Sequence, residues 1–284
     1  MDEAPVAAIV DVSAEVLART SERYPNATAA PNVADLDPDS VDCALVLTPV
    51  MEGVDAHHDP VLALMQMGVP TLCEKPFSAY MERTEAMARA SEETGTLLTM
   101  SLNRRFAPVY VRAREFIGDN PVSSFVAQKS GSGAIFRDAT TNSLHSLDAL
   151  RFFCGEATDV RGWYHHDGEV GRNTAVAISF DSGATGVYLA SRDAGRWIET
   201  AEFHAGGRTA RIDAPYSVVM SEGGELATLT PDLHRWQLPE PERWGFGAQL
   251  DHFFACVRGD EAPHVDLADI MASHRLAEHV RTLS

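Results

Sequence analysis

The sequence predicts an α/β protein in two parts, and two patterns carry this prediction. Up to about residue 103, short apolar strands alternate with helices, which is typical of a doubly wound parallel sheet covered on both faces. Beyond about residue 120, polar and apolar residues alternate between glycine-containing turns, which is typical of antiparallel strands. We therefore predict an N-terminal domain at 1–103 and a C-terminal α+β domain with an open, mostly antiparallel sheet at 104–284.

The N-terminal elements follow from apolar runs and capping residues. A strand is predicted at 6–10, and Ser13 is the expected N-cap of the helix after it. Further strands are expected within 41–47, 69–76 and 96–106. The helices between them are expected to end near Gly68 and Gly95, since glycine is the preferred residue just beyond a helix.

The C-terminal elements follow from turns and helical periodicity. Hairpin turns are expected at 181–183 and 206–207, where glycine permits the left-handed backbone. Helices are expected within 106–118, 142–155, 245–259 and 267–283. No internal repeat or low-complexity linker interrupts the chain.

The charge balance excludes one class of partner. The chain has 41 acidic and 23 basic residues and a net charge of −18, whereas nucleic-acid-binding proteins are basic. An acidic surface with very few lysines indicates adaptation to high salt; a GC-rich genome that favours arginine codons is the alternative. No apolar run is long enough to cross a bilayer and no signal-peptide pattern is present, so we expect a soluble, cytoplasmic protein.

Lysine is rare in this chain, and this makes the position of Lys75 informative. Lys75 and Lys129 are the two lysines, against 21 arginines. Lysine is ordinarily a solvated surface residue, but a chain that otherwise avoids it has a reason to keep one between Glu74 and Pro76. We interpret Lys75 as a functional cation.

Metal-binding and disulfide patterns are weak. The four cysteines are scattered without a C-x-x-C pair, which favours reduced core thiols. His165 and His166 are adjacent but have no carboxylate or cysteine partners at ligand spacing. We predict no metal site.

Asp11 ends the first predicted strand, where an acidic residue can bind the adenosine ribose of a dinucleotide, although such a residue can equally be a turn or cap. No G-x-G-x-x-G loop precedes it, and five residues come before the strand. Such a loop follows the central strand of this type of sheet, so its loss would leave two neighbouring strands with unpaired edges. We expect that the first βα unit is absent, through a start codon placed too late or through true degeneration.

Three segments together resemble one family. The segments "MGVPTLCEKPFS", "NRRFAP" and "HSLDALRFFCGE" resemble the glucose–fructose oxidoreductase and inositol dehydrogenase family, called Gfo/Idh/MocA, and the likeness extends to the final helices. The resemblance implies a Rossmann domain, a second domain whose open sheet is often an oligomer interface, and NAD(P)-dependent chemistry on sugars, inositols and related compounds.

The resemblance also implies roles for individual residues. Lys75 matches a lysine near the nicotinamide and the reacting hydroxyl, in a Lys-Pro peptide that is often cis. His145 matches a histidine that accepts the proton or binds substrate, with Asp148 one turn later. Many family dehydrogenases have a carboxylate four residues before this histidine, where this chain has Thr141. A threonine cannot raise the basicity of the imidazole, so either His145 works alone or the reaction is not the standard alcohol oxidation.

The remaining candidates complete the predicted site. Cofactor contacts are expected from Asp11, Thr48, Pro49, His57, Glu74, Lys75 and Asn103. Substrate contacts are expected from Lys75, Arg104, Thr141, His145 and Asp148. The assignment of His57 is open, because His58 adjoins it and a cap or surface role suits both equally well.

The predicted function is that of an NAD(P)-dependent oxidoreductase. It would move a hydride between the nicotinamide of NAD or NADP and a sugar-like or polyol substrate, with Lys75 and His145 as catalytic residues. Asp11 without an adjacent arginine favours NAD. The alternative is a non-catalytic ligand-binding or scaffold protein of the same family. We also expect a homo-oligomer, a dimer or tetramer, and neither nucleic-acid nor membrane partners.

Overall fold

The structure is a computed structural model that describes residues 4–51, 54–132, 142–167, 170–230 and 239–283. The N-terminal strands are β1 (Ala8–Val10), β2 (Thr28–Ala30), β3 (Ala44–Val46), β4 (Val50–Met51), β5 (Val54–Asp55), β6 (Thr71–Cys73) and β7 (Leu98–Met100). The N-terminal helices are α1 (Ala14–Arg23), α2 (His58–Gln66) and α3 (Met81–Thr94). Short 3₁₀ turns lie at Val33–Asp35, Pro38–Ser40 and Asn103–Phe106.

The remaining elements form the second part of the molecule. Its strands are β8 (Val122–Ser132), β9 (Ala157–Asp167), β10 (Val170–Phe180), β11 (Thr185–Ser191), β12 (Asp193–Ala205), β13 (Arg208–Asp213), β14 (Ser217–Glu222) and β15 (Glu225–Leu229). Its helices are α4 (Pro108–Ile117), α5 (Leu144–Cys154), α6 (Glu240–Arg243), α7 (Phe246–Arg258) and α8 (Leu267–Arg281).

The N-terminal parallel strands form two separate sheets. β1 pairs with β2, and β3 pairs with β6, which pairs with β7; all of these pairs are parallel. In the parts of the chain that the structure describes, no strand lies between β1 and β3. Next to this gap, Leu45 and Leu47 are 41% and 69% exposed. The predicted Rossmann-like parallel arrangement is confirmed. The two parallel sheets are separated at the position that the central strand occupies in the strand order of such a sheet.

The second sheet has eight strands in the order β15-β14-β13-β12-β8-β11-β10-β9. Its pairs are antiparallel except for β8 with β11, which is parallel. Helices α4 and α5 cover one face. Val126, Trp163, Val187 and Leu189 are exposed on its strands. The predicted open and mostly antiparallel sheet is therefore confirmed.

Most predicted caps and turns lie where the sequence placed them. The Ser13 side chain accepts a hydrogen bond from the backbone N–H of Val16, and Gly95 ends α3 with a φ of +67°. Gly183 has a φ of +89° in the turn between β10 and β11. The strand predicted within 41–47 is shorter than its apolar run, because hydrogen-bonded pairing to β6 extends only over Ala44–Val46.

The last helices return to the first domain. The Gln249 side chain on α7 donates to the carbonyl oxygen of Met100 at 3.2 Å, and Thr99 donates to the carbonyl oxygen of Val265 at 2.8 Å. One hydrophobic core extends through both parts. The C-terminal helices therefore lie against β7 of the N-terminal part, and the boundary at 103 stays a prediction.

Two general features complete the architecture. None of the helices in the described ranges is both long and apolar enough to span a bilayer. All four cysteines are free thiols: Cys73 and Cys154 are buried, and Cys43 and Cys256 are partly exposed.

Candidate functional site

The Lys75 turn leaves the carboxyl end of β6 and is held from two sides. The Lys75-Pro76 peptide bond is cis. On one side, the ring of His57 binds the carbonyl oxygen of Pro76. On the other, the backbone N–H of Phe77 donates to Nε2 of His274 at 3.2 Å, while Nδ1 of that ring binds the carbonyl oxygen of Ile270. Two buried histidines therefore fix the backbone that presents Lys75.

The His57 and His274 rings differ in the atoms that surround them. His57 is 0% exposed, and its Nδ1 and Nε2 lie 2.7 Å from the Pro76 oxygen and 2.5 Å from the Thr48 oxygen. Both nitrogens thus lie next to backbone carbonyl oxygens, and the cofactor contact expected of His57 stays a prediction. Burial lowers the pKa of His274 to about 4, which keeps that ring neutral and able to accept from Phe77.

A second group of charges lies where β12 crosses the end of the first domain. The Glu199 carboxylate binds Arg104 through Nε and Nη2, at 2.6 and 2.9 Å. It also lies 3.3 Å from Nζ of Lys129, which is its direct neighbour across the β8–β12 pair. The Arg104 guanidinium stacks on the Trp244 ring at 4.1 Å. All three charged side chains are buried.

The pKa of Glu199 shows which charges dominate this group. Burial raises the pKa of the carboxyl, but Arg104 and Lys129 outweigh burial and lower the pKa to about 2. Glu199 is therefore an anion at neutral pH, and one carboxylate is shared between two cations. Arg104 contacts Glu199 and Trp244, and its expected contact with substrate stays a prediction.

His145 on α5 borders the same charges. Its side chain is buried, and Nδ1 has no hydrogen-bonding partner among the described residues. Burial lowers the pKa of His145 well below its usual range, and the cations Arg104, Lys129 and Lys75 lower it further. Lys75 and Lys129 are thus both close enough to His145 for their charges to lower its pKa. Thr141 lies outside the described residues.

Asp148 shares the helix of His145 but faces other partners. Its carboxylate is 0% exposed and accepts from Arg105 at 2.7 and 3.0 Å and from Ser273 at 2.8 Å. Arg151 lies 3.8 Å from it. These bonds hold α5 to α8 and to the Asn103–Phe106 turn, and the substrate contact expected of Asp148 stays a prediction.

The other predicted cofactor residues have mixed surroundings. Asp11 follows β1, half-buried, and accepts from the backbone N–H of Ser13 at 2.8 Å. The Thr48 hydroxyl donates to the carbonyl oxygen of Ala56. The carbonyl oxygen of Pro49 accepts from the backbone N–H of Ala56.

Glu74 and Asn103 complete the set of predicted cofactor residues. Glu74 is half-buried, and its backbone N–H donates to the carbonyl oxygen of Val46. Asn103 is fully buried, and its side chain donates to the carbonyl oxygen of Trp244 at 2.7 Å. The Asn103 amide is therefore turned to the protein rather than to a ligand.

Three residues of the site were missed from the sequence. Lys129 is as unusual as Lys75 in a chain with two lysines. The rarity of lysine was used to interpret Lys75 alone. Glu199 and His274 give no local signal, because their partners lie 95 and 197 positions away in the chain. Such contacts are visible only when the fold is known.

The described residues offer contacts for the two ends of a dinucleotide but no glycine loop for the pyrophosphate between them. Asp11 and Lys75 follow β1 and β6, and ligands of open α/β sheets bind at the carboxyl ends of the strands. These positions fit the ribose and nicotinamide. The first glycine of the sequence is Gly53, so no glycine loop for a pyrophosphate occurs among the described residues before β3.

The fold is α/β, with a Rossmann-like parallel arrangement followed by a mostly antiparallel eight-stranded sheet. A sequence profile described as "Oxidoreductase family, NAD-binding Rossmann fold" (Gfo/Idh/MocA) matches residues 1–102. Residues 1–102 of the chain are thus similar to the NAD-binding domain of the Gfo/Idh/MocA family.

Two curated relatives and one solved structure illustrate the similarity. "Myo-inositol dehydrogenase Hyg17" of Streptomyces leeuwenhoekii is 32% identical over 51% of this chain and 47% of its own length. The "scyllo-inositol 2-dehydrogenase (NAD(+))" of Bacillus subtilis is 26% identical over 81% and 71%. The chain thus spans about half of the first relative. In fold, UDP-N-acetylglucosamine 3-dehydrogenase GnnA of Acidithiobacillus ferrooxidans matches with a TM-score of 0.83 and 19% identity, over 97% of this chain and 88% of that one.

Proposed function

We propose that the protein is an NAD(P)-dependent oxidoreductase that acts on the CH–OH group of a sugar-like or polyol substrate. The observation that carries this proposal is the convergence of Lys75 and His145. Lys75 extends from a fixed turn at the carboxyl edge of the parallel sheet, and His145 approaches from the second domain with a buried, unpartnered Nδ1. The names of both inositol dehydrogenase relatives support the substrate class, and one of them specifies NAD(+).

The two residues have different parts in the proposed chemistry. When bound, a nicotinamide dinucleotide accepts the hydride that leaves the carbinol carbon. As the C–H bond breaks, negative charge develops on the hydroxyl oxygen, and a fixed ammonium at Lys75 stabilises that charge. His145 remains neutral because of its lowered pKa, so it orients the hydroxyl through a hydrogen bond instead of storing a proton.

The test is reduction of NAD⁺ and NADP⁺, followed by absorbance, with a panel of inositols and aldoses. The assay uses this chain and the same chain extended upstream by one βα unit. We expect turnover with at least one polyol, and a loss of about 10²-fold or more in kcat for Lys75→Met. Arg112→Met, which removes an exposed cation from α4, is the matched control and should retain activity. Ligand binding without turnover in both forms would favour the non-catalytic alternative.

Three broader features belong to the same proposal. The protein is cytoplasmic, it assembles into a dimer or tetramer through the open face of the eight-stranded sheet, and its acidic surface is adapted to high salt. The net charge of −18 supports the last point, since salt screens the repulsion between carboxylates. A melting temperature that does not rise between dilute buffer and molar KCl would contradict the adaptation to high salt.

A further inference from the structure

The second lysine of the chain lies at the same site as the first. Lys129 extends from β8 and is 2% exposed. Its Nζ lies 3.3 Å from Glu199 and 5.2 Å from the centre of the Trp197 ring. In a chain of 284 residues with two lysines, one is half-buried on the Lys75 turn and the other is fully enclosed beside it. This chain therefore keeps both of its lysines at the candidate site.

The groups that face Lys129 come from four elements. Glu199 lies across on β12, Arg104 on the Asn103–Phe106 turn and Lys75 on the turn after β6, and all three act on the pKa of Lys129. His145 on α5 is close enough for Lys129 to lower its pKa.

Two further residues affect Lys129 indirectly, through the residues that face it. Tyr110 on α4 lies 3.4 Å from Glu199 through its hydroxyl, and Glu74 next to Lys75 acts on Arg104. Three cations thus share two carboxylates. This excess of positive charge favours the loss of one proton from the group.

The proton that is lost most readily is the one on Lys129. Arginine stays protonated in proteins, so Arg104 retains its charge. Burial lowers the pKa of Lys129, and Arg104 and Lys75 lower it further, against the opposite effect of Glu199; the resulting pKa is about 7. His145 cannot compete, because its pKa lies well below the usual range and no carboxylate contributes to it.

We propose that Lys129 is the proton-exchanging residue of the active site, acting as a neutral amine that accepts the substrate hydroxyl proton and is held by Glu199 once it becomes an ammonium. This proposal rests on the proposed dehydrogenase function. In the oxidation, the C–H bond breaks and both of its electrons pass with the hydrogen to the nicotinamide, which is reduced. The O–H bond breaks, its proton adds to the Nζ lone pair of Lys129, and the alcohol becomes a carbonyl.

The assignment gives the two lysines complementary tasks. Lys75 supplies a fixed positive charge to the developing alkoxide, and Lys129 takes up the proton that the hydroxyl group loses. A base with a pKa near the working pH transfers protons most effectively. Lys129 would thereby replace the carboxylate–histidine pair that Thr141 does not allow.

The rarity of lysine makes a direct test possible. In protein labelled with [¹³C]lysine, the Cε–Hε region of the NMR spectrum contains signals from two side chains, which Lys75→Arg and Lys129→Arg assign. Titration of the wild-type chain should give a pKa near 7 for Lys129 without any substrate or cofactor. A pKa of 9.5 or above for Lys129 would overturn the proposal, whatever the activity.

The pH profile then tests the catalytic part. In the wild type, log(kcat/KM) for oxidation should fall with unit slope below the measured pKa of Lys129. Lys129→Met should abolish this limb and lower kcat/KM by about 10²–10⁴-fold. Arg161→Met, at an exposed cation on β9, should change neither.

The two proposals fail in different ways. Persistence of the wild-type limb in Lys129→Met would overturn the role of Lys129 while leaving the dehydrogenase function intact. Absence of turnover with every polyol, although Lys129 titrates near 7, would refute the dehydrogenase function and with it the catalytic role.

Discussion

Arg104 and Glu199 form a bidentate ion pair, 2.6 Å from Nε to Oε1 and 2.9 Å from Nη2 to Oε2, although 95 positions separate them in the chain. Arg104 follows the last strand of the parallel sheet, and Glu199 lies on β12 of the second sheet. The pair thus connects the two sheets. Because Glu199 also holds Lys129, its carboxylate links the architecture of the molecule to the charge state of the site.

Glu199→Gln should destabilise the protein strongly. The variant leaves Arg104 and Lys129 buried without their anion, and breaking a buried pair in this way costs about 3–5 kcal/mol at neutral pH. Glu202→Gln, on the same strand but with ion pairs at the surface, should cost about 1 kcal/mol or less. Urea denaturation at pH 7 measures both, and equal costs would contradict the account.

The pH dependence of stability at acidic pH should also change in Glu199→Gln. The pKa of Glu199 is lowered from its ordinary value of 4.5 to about 2 in the folded state. Its contribution is therefore complete above pH 4.5 and is lost as the pH falls towards 2. The free energy of unfolding of Glu199→Gln should depend less on pH in this window than that of the wild type, as urea titrations from pH 5 to 2 would detect.

Asp148→Asn separates a structural role from a substrate contact. Because Asp148 is buried against Arg105 and Ser273, we expect a loss of about 3–5 kcal/mol in unfolding free energy with KM unchanged. Asp159→Asn, an exposed carboxylate paired with Arg161, is the control and should be nearly neutral. A raised KM without loss of stability would restore Asp148 to the substrate site.

The oligomer prediction can be tested on the open sheet. Val126 and Val187 are direct neighbours in the β8–β11 pair and are 51% and 43% exposed. Light scattering should report a dimer or tetramer for the wild type. The double variant Val126→Glu/Val187→Glu should be a monomer, because it places two charges in an apolar contact. Val12→Glu, at an exposed valine of the first domain, should leave the assembly unchanged.

Cofactor affinity should depend on the gap between β1 and β3. Without a glycine loop among the described residues, this chain should bind NAD and NADP weakly, since Asp11 can contact only the ribose and repels phosphates. An upstream βα unit should fill the gap and restore binding. Calorimetric titration of both forms is the measurement. Submillimolar binding by the shorter form would show that other residues hold the pyrophosphate.

Local sequence signals predicted the elements well and their long-range contacts poorly. The N-cap at Ser13, the helix end at Gly95 and the turns at Gly183 and Gly206 depend on near neighbours, so the chain itself specifies them. The strand predicted at 41–47 was too long because an apolar run does not show where its partner strand ends.

The candidate site residues also differ in how far local sequence signals identify them. Lys75 and His145 could be found because composition and motif mark them. Helix periodicity and motif position cannot show that Asp148 pairs with Arg105 and that Arg104 pairs with Glu199. Lys129 was overlooked although it carries the same compositional signal as Lys75, and its burial beside Glu199 becomes apparent only from the β8–β12 register.

The most direct test of the account follows a labelled hydrogen. The chain, extended upstream by one βα unit, is incubated with NAD⁺ and with inositols and aldoses deuterated at each carbinol carbon, and the reduced nicotinamide is examined by mass spectrometry. We predict that deuterium from one polyol appears in the reduced nicotinamide. Lys75→Met should lower the rate at which the deuterium appears by about 10²-fold or more. Tight NAD binding without deuterium transfer from any polyol would contradict the dehydrogenase function.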